Sequence, residues 1–162
     1  MTKLKILKII NFIIIGILCG ILALLYFKSR SIFDLYWYVI AILFYALMLL
    51  CKYFIFGSDS VLWFGLCLLL FGGYMIYYNR GIIGVNSFPI LVIIPAIVSL
   101  FIFGIYKNIL HLNLFVMCMF IGMPMFLISL KIVFFWIFVI VEIVSVLSGA
   151  LLMNFIYHNY KR

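Results

Sequence analysis

VLWFGLCLLLFGGYMIYY (61–78), NRGIIGVNSFP (79–89) and ILVIIPAIVSLFIFGIYK (90–107) follow one another at the middle of the chain. They form an apolar run, the longest turn-like interruption in the sequence, and a second apolar run. A membrane-crossing helix needs roughly 20 predominantly apolar residues. The stretch therefore reads as a transmembrane helical hairpin, with one similar hairpin before it and one after. This predicts an all-α, polytopic membrane protein: a bundle of six transmembrane helices in a single integral membrane domain, 1–162.

Composition supports lipid as the solvent. The 162 residues are 71% hydrophobic and 9% charged, with mean hydropathy +1.48. Soluble domains carry about 25% charged residues, and a soluble fold of this size cannot hide so much apolar surface. The net charge of +8 does not point to nucleic acid. Lys and Arg stand in ones and twos at the ends of apolar runs, as the positive-inside rule and headgroup attraction predict. No soluble segment is long enough for the contiguous basic face that nucleic acid needs. Cys19, Cys51, Cys67 and Cys118 all lie inside apolar runs without CxxC spacing. They read as small apolar filler, with no metal and no cofactor implied.

Outward from the centre, the spans fall at about 9–27, 35–56, 61–78, 89–106, 113–130 and 132–157. The basic start MTKLKILK resembles a signal-peptide n-region, but no small-x-small cleavage site follows, so the first run reads as an uncleaved helix. Gly16, Gly20 and Ala23 give it a smooth face. The reading prefers packing of that face inside the same chain over a dimer seam. Asp59 or Ser60 is the expected cap of helix three, and Asn86 or Ser87 that of helix four. Pro95 and Pro124 interrupt helices four and five. The last apolar segment, 114–157, would reach roughly 66 Å as one helix, about twice the hydrocarbon thickness. It must fold back, and Ser129-Leu130-Lys131 is the polar point near its middle.

With N-in, C-in topology, Lys3, Lys5, Lys8, Lys52, Lys107, Lys161 and Arg162 lie inside, and Lys28, Arg30, Arg80 and Lys131 outside. The bias favours that orientation. The even spacing of basic residues fits three hairpin repeats, and equally any six evenly spaced helices.

Glu142 is the acidic residue well inside a span. A carboxylate at the bilayer centre costs about 2.5–3.5 kcal/mol on insertion scales, which makes it a candidate ligand or coupling group. Ser145 and Gly149 follow at i+3 and i+7 on the same helical face. The competing reading is a protonated carboxyl that only fixes packing. Tyr78, Asn79 and Arg80 form an outer-face cluster, an interface anchor or a partner site. Asp34 and Asp59 bracket one helix, roughly 35 Å apart at helical rise, too far to share one catalytic water. His111 and Cys118 have the spacing of the cysteine proteases that mature peptide pheromones, but an apolar run disfavours the thiolate. His111 and His158 read as interfacial. With two histidines and three acids, hydrolytic and metal mechanisms lack parts.

Three pieces of the central stretch carry a resemblance: Trp63-Phe64-Gly65-Leu66, Asn79-Arg80-Gly81-Ile82-Ile83, and Phe88-Pro89-Ile90-Leu91-Val92-Ile93. The segment 61–107 resembles the membrane hairpin of LiaF-like envelope-stress proteins and related bacterial families. Those show a glycine-bearing apolar helix, an Asn-x-Gly-Ile turn and a Trp-Pro start to the second helix; here Phe88 stands in place of the tryptophan. The resemblance implies a sensory or accessory membrane role and transfers no residue roles.

The expected function is non-enzymatic. The chain acts by helix-to-helix contact, with another membrane protein or with itself, as an accessory, immunity or regulatory subunit of an envelope system in the cytoplasmic membrane of a microbe. The alternative is a small transporter, or its substrate-binding component, using Glu142.

Overall fold

The computed structural model describes residues 2–84, 87, 89–129 and 135–160. Six helices follow in order: α1 (Lys3–Lys28), α2 (Arg30–Phe56), α3 (Asp59–Asn79), α4 (Ile90–Tyr106), α5 (Ile109–Ser129) and α6 (Phe135–Tyr160). No strand occurs among the described residues. Five helices are long and apolar enough to cross a membrane. α4 has 17 residues, or roughly 26 Å at helical rise, near the lower limit for a span.

Most helices outrun the apolar runs that announced them. α1 starts at Lys3, so the basic start is helical. The break expected over 28–34 shrinks to Ser29, whose extended backbone (φ −158°, ψ 93°) separates α1 from α2. α5 begins at Ile109 rather than 113. Hydropathy marks where lipid ends, whereas helices end where the backbone must turn. Polar residues with ordinary helix propensity continue the spiral beyond the apolar zone. Gly57 ends α2 in the left-handed conformation (φ 71°) that glycine adopts cheaply.

The cap assignments also change. Ser58, not Asp59 or Ser60, occupies the N-cap position of α3, and Asp59 sits in its first turn. There its carboxylate accepts the Ser60 backbone N–H at 2.7 Å. Pro89 precedes α4 at its N-cap position. Ser87 donates instead to the Gly84 carbonyl. Asn86 and most of the expected Ser129-Leu130-Lys131 turn lie outside the described residues.

Read from sequence as one membrane domain, the chain divides into two compact units at Ile82/Ile83. Basic-residue spacing pointed to three hairpins, yet the helices group in threes. In the first unit α2 packs against both α1 and α3; in the second α5 packs against both α4 and α6. Glycines make these contacts close. Gly65 and Gly72, one heptad apart on α3, receive Leu50 and Leu43 of α2, also a heptad apart. A Cβ at Gly72 would lie 2.5 Å from Leu43 Cδ2. In the second unit Gly122 faces Val92 and Ile93 of α4, and Gly149 of α6 faces the Phe120 ring. Small residues let backbones approach, and dispersion then holds helices that lipid cannot drive together.

The smooth face of α1 does not take part. Gly16, Gly20 and Ala23 are exposed, and among the described residues no atom lies within 4 Å of a Cβ built on either glycine. α1 instead buries Leu7 and Ile14, a different stripe of the helix. Packing of the GxxxG face inside the chain, the preferred sequence reading, is therefore corrected. The bulky Leu and Ile positions on the other side offered more contact area to α2.

Candidate functional site

α6 places the intramembrane carboxylate. Ile140, Ile143, Val144, Leu147 and Leu151 are all exposed and define its lipid-facing stripe. Glu142 lies on the other side and is half-buried. Seven residues leave a helix about 20° from where they began, so Glu142 shares the direction of Gly149. Gly149 is buried against Phe120, with 3.2 Å from its built Cβ to the ring. The face holding Glu142, Ser145 and Gly149 is thus turned toward α5. Among the described residues Glu142 Oε2 is buried and has no hydrogen-bond partner.

A cleft of about 310 Å³ opens along the same contact, lined by Met119, Phe120, Met123, Pro124 and Leu127 of α5 and by Val141 and Ser145 of α6. Pro124 stands in its wall; proline has no N–H to donate to the carbonyl four residues earlier. Ser145 lines this space directly, whereas Glu142 is not among its lining residues.

The cluster at the end of α3 separates. The Asn79 amide donates to the Leu35 carbonyl at 3.1 Å and lies 2.7 Å from the Tyr38 hydroxyl, which in turn donates to Asn79 Oδ1 at 3.0 Å. Asn79 therefore ties the end of α3 to the start of α2. Tyr78 and Arg80 remain exposed, with the Tyr78 ring stacked 6.2 Å from Tyr74.

His111 lies in the first turn of α5, which starts earlier than expected, and is 2% exposed. Cys118 is half-buried on the same helix. His158, by contrast, is exposed near the end of α6. Asp34 lies near the start of α2 and Asp59 at the start of α3, with the length of α2 between them. Asn11 Oδ1 and Asn113 Oδ1 are buried without a hydrogen-bond partner among the described residues; sequence reading missed both. Among those residues no group of His, Cys, Asp or Glu could hold a metal ion.

No known family, curated protein or solved structure matches the chain. Function must be argued from these residues alone.

Proposed function

We propose that this membrane-spanning protein works by helix-to-helix contact, as an accessory, immunity or regulatory subunit of an envelope system in the cytoplasmic membrane of a microbe. The observation that carries this reading is the outward face of α1. Gly16, Cys19, Gly20 and Ala23 recur at i, i+3, i+4 and i+7, and all are exposed. A glycine in a helix interior costs stability relative to alanine. That cost is offset where a neighbouring backbone approaches, and among the described residues of its own unit none approaches here. The LiaF-like resemblance of 61–107 is in keeping with such a role.

Cys19 is a native reporter of the contact. With Cys51, Cys67 and Cys118 replaced by Ala, mild thiol crosslinking in intact membranes should join Cys19 to a partner or to a second copy. Gly16→Ile and Gly20→Ile should abolish the adduct. A chain that stays uncrosslinked at native expression overturns the reading.

A second reading, a small transporter, is favoured by Glu142, whose buried oxygen has no hydrogen-bond partner among the described residues. Liposome flux that is unchanged in Glu142→Gln would remove that residue from any transport mechanism.

A further inference from the structure

We propose that the end of the first unit where α1 begins binds an anionic phospholipid, with Lys3, Lys5, Lys8 and Lys52 receiving the phosphate of its headgroup.

Topology assembles this cluster. α1 has 26 residues and α2 has 27. Ser29 alone joins them, and they pack against each other, so they run antiparallel. Lys52, in the last turns of α2, thereby returns to the level of Lys3, Lys5 and Lys8 on α1. All four side chains are exposed. The basic start is helical from Lys3, so its three lysines span roughly 8 Å along the axis and are held at the membrane end of α1.

Charge at this end is one-sided. The first unit contains two acids, Asp34 and Asp59. Asp34 lies at the other end, near Lys28 and Arg30 in the chain. Asp59 opens α3 at the lysine end, where its carboxylate accepts the Ser60 backbone N–H at 2.7 Å. Lys3, Lys5, Lys8 and Lys52 thus meet one acid. At the opposite end Lys28, Arg30 and Arg80 meet one, and Arg30 lies over the Tyr26 ring at 5.8 Å.

What selects a lipid over a soluble anion is the surface between the lysines. Leu4, Ile6, Ile9 and Phe54 are exposed, so cationic and apolar side chains alternate. A phospholipid meets both, its phosphate on the ammonium groups and its acyl chain along the apolar residues. Lysine stems lie on apolar surface while their heads reach the headgroup layer. A free anion would meet the charge alone. A zwitterionic headgroup brings its own cation and gains little. Each lysine near an anionic lipid surface is worth roughly fivefold in binding.

The test uses the full chain in neutral detergent, with equal amounts of phosphatidylglycerol and phosphatidylcholine of identical acyl chains. Bound lipid is counted by native mass spectrometry. The native chain should retain phosphatidylglycerol over phosphatidylcholine by about tenfold or more. Lys5→Gln, Lys8→Gln and Lys52→Gln together should bring the ratio close to one. Lys5→Arg, Lys8→Arg and Lys52→Arg together should preserve it. Lys28→Gln, Arg30→Gln and Arg80→Gln together remove the same charge from the other end and should leave most of the preference.

Equal retention of the two lipids by the native chain would overturn the proposal. So would equal losses from the two glutamine triples, since net charge rather than this end would then set the preference. Displacement of the lipid by inorganic phosphate, beyond that by sodium chloride at the same ionic strength, would assign the lysines to a free anion and overturn it as well.

Discussion

The two three-helix units solve the same packing problem differently. In the first, α2 and α3 close over their length. Two glycines accept two leucines a heptad apart, and Asn79 with Tyr38 satisfies the polar groups at one end. In the second, α5 and α6 touch at Gly149 and Phe120 but part around Pro124 and Ser145, with a carboxyl oxygen left unsatisfied among the described residues. Closed packing with paired polar groups is what stability selects. Open packing with an unmet acceptor costs stability, and such costs concentrate where a molecule binds. The contrast is thus between a closed α2–α3 contact in the first unit and a partly open α5–α6 contact in the second.

Four tests break or sharpen that contrast. The largest effect is expected from Gly72→Leu, since even a Cβ there would meet Leu43 at 2.5 Å. Overpacking should cost about 3 kcal/mol, read as an unfolding midpoint in mixed micelles. A tolerated leucine would mean that α2 and α3 are not tightly joined.

Next comes a change of opposite sign. Glu142→Leu removes an unsatisfied buried acceptor and should stabilise the protein by about 2 kcal/mol in the same assay. Destabilisation would instead show that Glu142 fixes packing, as the competing sequence reading held.

Asn79→Ala should cost about 1 kcal/mol, the scale of interhelical hydrogen bonds in membranes. Its double-mutant cycle with Tyr38→Phe should show coupling; additivity would mean the two side chains act separately. The smallest effect is expected at Gly16→Ala and Gly20→Ala. Each should shift the unfolding midpoint by less than about 0.5 kcal/mol, because exposed sites away from contacts change little. Either should still weaken the Cys19 crosslink. A large loss of stability would return that face to the chain's own packing.

Much of the fold was legible because its cause is solvent. Lipid demands helices of a given length, and length and hydropathy can be counted along a chain. The six helices emerged in the right order for that reason. Their ends did not, since Lys3, Arg30 and Ile109 obey backbone continuity rather than hydropathy. At the candidate site the i, i+3, i+7 spacing put Glu142, Ser145 and Gly149 on one face, and the fold turns that face toward a neighbour. Spacing could not say that the neighbour is α5, nor that Asn79 would be engaged with Tyr38 41 residues away. The GxxxG face of α1 misled for the same reason. Small residues permit close approach without naming who approaches.

By itself, then, the sequence determined the solvent, the helical class and the candidate carboxylate, because each follows from the transfer of local groups between water and hydrocarbon. Tertiary structure alone decided which glycine faces are filled, which helices group in threes and where the bundle stays open. Those outcomes depend on the matching of side-chain shapes across elements far apart in the chain, and apolar residues that are interchangeable to lipid are not interchangeable to one another.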